Sequence, residues 1–132
     1  MLAQLFTWWN STTFSTQLTL WRRGARLVGK DEQGNRYFEE AKASGPHGMR
    51  RRFVVYHGVA EASRVPPDWH GWLHHTFEEP PTVAPLRRRV WEKDHLPNMT
   101  GTPLAYRPPG SLARNPDQPV KQDYEAWAPE NV

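Results

Sequence analysis

The sequence predicts an α+β fold: an N-terminal amphipathic helix, a small three-stranded antiparallel sheet, one short helix and a long extended proline-rich C-terminal segment. Three observations carry this expectation. Apolar residues recur at helical spacing through the first 25 positions. Two stretches between 26 and 58 combine β-branched and aromatic residues with turn chemistry. Twelve of the thirteen prolines lie at or after Pro66, and proline, which lacks a backbone donor and fixes φ, is excluded from the interiors of helices and sheets. Regular structure is therefore expected in the first half, as a helix-plus-sheet domain over 1–79 followed by an extended partner-wrapping segment over 80–132.

Leu2, Leu5, Phe6 and Trp9, then Phe14, Leu18, Trp21 and Ala25, follow the 3.6-residue period. One helix interrupted near 10–13, or two short ones, is the consequence, with Gly24 or Gly29 available to end the second. RLVGKDEQGNRYFEE, residues 26–40, reads as a hairpin whose turn runs from Asp31 to Asn35, with Gly34 supplying a positive φ and a return strand around Tyr37 and Phe38. RRFVVYHG, residues 51–58, supplies the third strand. Three strands persist only if one face is covered, and the N-terminal helix and opening stretch are the candidates to cover it. In VPPDWHGWLHH, residues 65–75, Asp68 is placed to cap a helix from Trp69 to Phe77, which Pro80 and Pro81 would stop.

A chain of 132 residues fits one domain with a small core. Its hydrophobic content of 37% and mean hydropathy of -0.82 make apolar material scarce, so part of the chain is expected to need a partner for order. Seven tryptophans nevertheless depart from the aromatic-poor composition of disordered chains; they either fill the protein's own core or pack onto something else. The absence of cysteine excludes disulfides, iron–sulfur ligation and thiol nucleophiles. No run of 18 apolar residues is present to span a membrane.

The net charge of +3 is unevenly spread: residues 1–30 hold Arg22, Arg23, Arg26 and Lys30 and no acid. An apolar, Trp-bearing helix face with arginines at its end has the pattern of helices that lie in a lipid headgroup interface. Trp8, Trp9, Trp21, Arg22 and Arg23 are the candidate membrane-surface contacts. An ordinary helix packed on protein is the competing reading, and a cleaved presequence a third.

His70 and His74 stand four apart on the expected short helix, a spacing able to chelate zinc. Structural zinc needs four ligands and catalytic zinc three plus water, and His47, His57 and His95 offer no second spaced pair. HGWLH also has Gly71 where the metalloprotease motif has glutamate. Ser44, Ser63 and Ser111 occupy no nucleophile-elbow context. Nothing in the sequence points to a metal, a cofactor or a catalytic constellation. Arg50–Arg51–Arg52 before an aromatic strand and Arg87–Arg88–Arg89 before Trp91 suit single-stranded nucleic acid. Glu39, Glu40, Glu92 and Asp94 lie close to those runs, however, and arginine is also the preferred interface cation.

The order LVGKDEQGNRYFE, RRFVVYHG, VPPDWHGWLHHTFEEPP, NMTGTPLAYRPPG and YEAWAPE, from about residue 20 to 129, resembles the family of the twelfth accessory subunit of the alpha subcomplex of NADH:ubiquinone oxidoreductase, respiratory complex I. The resemblance implies a small non-catalytic subunit without cofactor, lying along the hydrophilic arm near its junction with the membrane arm, with hydrophilic-arm and quinone-site subunits as partners. On this reading Trp69, His70, Trp72, His74, Trp91, Gly101, Tyr106 and Trp127 form partner interfaces. A related member of the family is an assembly factor of the same complex and is the alternative; a small single-stranded nucleic-acid-binding protein is a further one. Phe53 stands where the family pattern leads one to expect Trp. No presequence is recognisable, which points to a bacterial member, peripheral at the cytoplasmic side of the inner membrane; a mitochondrial member would lie on the matrix side.

Overall fold

Thr13, in extended conformation, starts the first helix by accepting the Thr16 N–H on its hydroxyl at 3.2 Å. That helix, α1 (Phe14–Arg22), is the first element of the computed structural model, which describes residues 12–108 and 111. It matches the second half of the expected N-terminal helical pattern; the first half, with Trp8 and Trp9, lies outside the described residues, as does Trp127.

The hairpin forms where it is expected. β1 (Arg26–Lys30) pairs antiparallel with β2 (Arg36–Glu39), which pairs antiparallel with β3 (Arg52–Val55), in the order β1-β2-β3. Gly34 in the turn has φ +83°, a conformation that costs glycine little and other residues much. The β1–β2 register runs Leu27 opposite Phe38 and then Gly29 opposite Tyr37, so Val28 is the extra residue of a bulge and packs against the core.

Tyr37, Val65, Trp69 and Trp72 make the core, with Val28, Val54, Tyr56 and Leu73 against it. Trp69 stacks flat on Tyr37, centroids 3.9 Å apart and planes 5° from parallel, while Trp72 presents its edge to both rings. Gly29 lies where Trp69 crosses β1. A Cβ there would meet the indole at 2.7 Å, so only glycine lets the ring lie against the strand.

The tryptophans arrive on α2 (Pro67–Leu73), which is shorter than the expected 69–77 and starts differently. Pro66 is the cap residue and Pro67 opens the helix, where its missing N–H costs nothing. Asp68 therefore sits inside the first turn and does not cap. The helix stops at His74 because His75 adopts φ +57°, and the Thr76 and Phe77 N–H groups both turn back to the Gly71 carbonyl. Phe77 lies against Gly71, leaving no room for a Cβ. The stop is thus local, several residues before Pro80.

The sheet's cover is also not the expected one. α2 covers the Tyr37 face, whereas α1 has no buried residue. α1 is fastened by Arg36, which donates to the Thr12 hydroxyl at 2.9 Å, and by Arg23 on Glu40 at 3.2 Å. A cleft of about 220 Å³ remains between Ser15, Thr16, Thr19 and Leu20 of the helix and Phe53, Val54 and Val55. Past Leu73 the described residues form turns but no helix or strand. The chain groups into two compact units, Met1–Asn98 and Met99–Val132.

Candidate functional site

Two polar fasteners fix the body that any docking surface must stand on. The first centres on Asn35, whose residue is fully buried. Its backbone N–H and its Nδ2 donate to the two oxygens of Asp31 at 2.8 and 2.7 Å, Nδ2 also reaches the Arg64 carbonyl at 3.1 Å, and Oδ1 accepts the His57 N–H at 3.0 Å. One amide thereby joins the hairpin turn, the end of β3 and the short 3-10 turn Ala62–Arg64 before α2. The Tyr37 hydroxyl donates to the same Asp31 carboxylate at 2.8 Å. Burial, and then the adjacent carboxylate, push this phenol well above its usual value.

The second fastener is Arg52, whose side chain is only 4% exposed. Its Nε donates to Glu39 at 3.1 Å, its Nη1 to the carbonyls of Trp72 and Phe77 at 2.6 and 2.9 Å, and its Nη2 to the carbonyl of Glu78 at 3.1 Å. The guanidinium also lies 4.6 Å from the Trp72 ring centroid. It satisfies the carbonyls that a helix end leaves without partners and locks α2 and its following turn onto β3. At the same end of the sheet, Glu40 accepts from the Ser44 hydroxyl at 2.7 Å and from Arg23, and these contacts, the hydroxyl first, hold its carboxyl below the usual range.

These contacts redistribute the residues expected to face outward. Trp69 and Trp72 are buried in the chain's own core, where they shape the body. Arg23 is turned to Glu40, which leaves Trp21 and Arg22 as the exposed members, within the described residues, of the set expected at a membrane surface. Phe14, Leu18 and Trp21 form one exposed stripe along α1. His70 and His74 are exposed with their rings 4.2 Å apart, and no group of three metal-ligating side chains occurs among the described residues. The Arg50–Arg52 run splits between two targets, Arg50 and Arg52 on Glu39 and Arg51 on the Ser44 carbonyl, so it offers no continuous cationic track to a nucleic acid.

A cavity of about 550 Å³ lies beside Asp31, Pro66, Trp69, Leu86 and Arg88. Two of its carboxylates are occupied by the fold: Asp31 by Asn35 and Tyr37, and Glu32 by Arg88 at 4.0 Å. Lys30, Gln33 and Asp68 line it beside the apolar Pro66, Trp69 and Leu86. Trp91 and Tyr106 are exposed, and Gly101, at φ +81°, belongs to a turn in the second unit. Composition gave no sign of Asn35 or Arg52. The opposition of Glu39 and Arg52 was nevertheless readable from strand register as a favourable cross-strand pair.

The family model for NADH ubiquinone oxidoreductase subunit NDUFA12 matches residues 25–129, from the first strand to near the C-terminus. The chain belongs to this family. The NDUFA12-family relatives include NADH dehydrogenase (ubiquinone) 1 alpha subcomplex subunit 12 of Bos taurus, 39% identical over 97 residues, which are 65% of this chain and 64% of the relative. The probable subunit 12 of Arabidopsis thaliana is 35% identical over 112 residues, 80% of this chain and 68% of the relative. The alpha subcomplex assembly factor 2 of Mus musculus is 26% identical over 125 residues, 76% of this chain and 72% of the relative. The match thus spans less than two thirds of the bovine relative's own length. The NDUFA12 assignment agrees with the resemblance drawn from the segment order.

Proposed function

We propose that this chain is a non-catalytic accessory subunit of NADH:ubiquinone oxidoreductase, without cofactor, that stabilises the hydrophilic arm near its junction with the membrane arm. The observation that carries the proposal is the family match over 25–129. The side-chain chemistry supports it, because the buried Asn35 and Arg52 are used in fastening the chain to itself while large apolar side chains such as Trp91 are exposed. Trp91, Gly101, Tyr106 and Trp127 are the partner contacts, together with His70 and His74. The segment from 80 to 132 lies along neighbouring subunits of the hydrophilic arm and quinone-site region.

The α1 stripe of Phe14, Leu18 and Trp21, with Arg22 at its end and Trp8 and Trp9 before it in sequence, faces the membrane surface. No helix among the described residues is long and apolar enough to cross a membrane. The location is therefore peripheral, on the cytoplasmic side of a bacterial inner membrane or the matrix side in a mitochondrion.

A transient assembly role is the second reading, favoured by the likeness to the mouse assembly factor. Affinity capture of the tagged chain from detergent-solubilised membranes, followed by native-gel NADH dehydrogenase staining and mass spectrometry, separates the two. Recovery of the full active enzyme in equal stoichiometry is expected. Recovery of incomplete, inactive arms alone would establish the assembly role instead, and recovery of neither would refute both.

A further inference from the structure

Residues 86–95 form a loop that is fastened at its base and bare at its tip. At the base, Arg88 joins the two legs by donating to Asp94 at 3.2 Å, and its other nitrogen lies 4.0 Å from Glu32 on the hairpin turn. His95 Nε2 donates to the Ser63 carbonyl at 2.8 Å, and the Asn98 N–H donates to the Ser63 hydroxyl at 3.0 Å. The loop is thus tied to two separate places on the body.

At the tip, the Glu92 N–H donates to the Arg89 carbonyl at 3.0 Å, closing a β-turn with Val90 and Trp91 at its corners. The Glu92 carboxylate closes it a second time by accepting the Arg89 N–H at 2.9 Å. Turn corners ordinarily carry glycine, proline, asparagine, aspartate or serine. Here they carry two large apolar side chains, Val90 at 106% and Trp91 at 80% exposure. In a chain this poor in apolar material, such a placement contributes nothing to the chain's own core.

The charge around the tip has a direction. Glu92 and Asp94 are engaged within the loop, whereas the side chains of Arg87, Arg89 and Lys93 make no ion pair among the described residues. The outward field of the tip is therefore positive.

We infer that Val90 and Trp91 form a preformed knob that inserts into an apolar cleft rimmed by carboxylates on another protein subunit, with Arg87, Arg89 and Lys93 meeting the rim. The inference rests on the subunit reading above and deepens it by assigning the contact. Tryptophan in a desolvated cleft is the side chain most often dominant in an interface. The double closure of the turn and its fastened base mean that little conformational freedom is lost on docking, and guanidinium forks pair bidentately with carboxylates. A protein cleft fits better than a lipid surface, because interfacial lipid binding uses a broad apolar face, which α1 presents and a two-residue tip does not.

The test titrates fluorescently labelled full-length chain into the oxidoreductase purified from a strain deleted for it, with binding read by anisotropy at two salt concentrations. Flotation with phosphatidylcholine–phosphatidylglycerol vesicles runs in parallel. Trp91→Ala is expected to bind about 30-fold more weakly than the wild type. Arg87→Glu with Arg89→Glu is expected to slow association and to flatten its salt dependence. Both variants should keep the wild-type unfolding curve, since Trp91 is largely exposed and Arg87 and Arg89 make no ion pair among the described residues. Trp91→Ala binding within about twofold of the wild type would overturn the inference, as would loss of vesicle flotation with enzyme binding retained. A wild-type chain that does not bind the depleted enzyme would remove the subunit reading itself and this contact with it.

Discussion

Trp72 and Trp91 are the same residue in opposite circumstances, and so are Arg52 and Arg88. In the hairpin-and-helix body, Trp72 is 1% exposed and Arg52 is enclosed by one carboxylate and three carbonyls. In the loop that follows, Trp91 stands in solvent and Arg88 is half exposed between two exposed acids. Residue type does not separate the two regions. What separates them is closure: the body encloses Tyr37, Trp69, Trp72 and Arg52, while the loop holds its backbone in shape and leaves its apolar corners in solvent.

The sharpest way to break this contrast is to truncate both tryptophans. Trp72→Ala should cost about 4 kcal/mol, from lost transfer energy and the cavity left behind, measured by urea unfolding of the isolated chain. Trp91→Ala should change the same quantity by less than about 0.5 kcal/mol. Comparable losses would mean that the loop is part of the core. The arginines give the next test. Arg52→Ala leaves the Phe77 and Glu78 carbonyls without their donor and Glu39 with Arg50 alone, and should cost about 2 kcal/mol, whereas Arg88→Ala, in a solvent-screened pair, should cost under about 1 kcal/mol.

The smallest effect is the pH profile, and its signs differ at the two ends. Glu40 is held below its usual value of 4.5, so its stabilising contribution is present above that value and disappears as pH falls through the depressed range. Tyr37 is held above its usual value of 10.0. Its contribution is complete below that pH and declines as pH rises beyond it, because the unfolded phenol then ionises while the folded one does not. Glu40→Gln should flatten the acid limb of a stability-against-pH curve and Tyr37→Phe the alkaline limb. A profile unchanged by either substitution would show that these contacts are not maintained in solution.

The sheet was legible in the sequence because its signals are local. Gly34 between two β-like runs dictates a hairpin, and Val54–Val55 between aromatic residues marks a strand that can only join it. Past Leu73, where prolines crowd from Pro80 on, the described residues form no helix or strand. What covers the sheet was not legible. The helical period of Phe14, Leu18 and Trp21 reveals an apolar stripe but not its neighbour, and here that stripe stays open while Trp69 and Trp72 take the core.

The helix start was misread because Pro67 fills the first helical position and moves Asp68 inward by one. The role of Arg52 depends on three carbonyls that converge only once α2 ends at His75, a stop set by backbone conformation and not by any nearby proline. The family resemblance was readable from segment order, whereas the burial of Trp69 and Trp72 was not: a tryptophan packs equally well into its own core or onto a partner.

The buried Asn35 amide also sets how the molecule breathes. It bonds at once to the hairpin turn, to the backbone leaving β3 and to the carbonyl of Arg64, so none of these segments can open alone without giving up bonds that hold the others. Their protected backbone amides should trade hydrogen for deuterium together, as one cooperative block. The Glu92 amide, secured only within its own turn, should trade earlier. The body then opens as a unit or not at all, while the loop can loosen and re-form on its own clock.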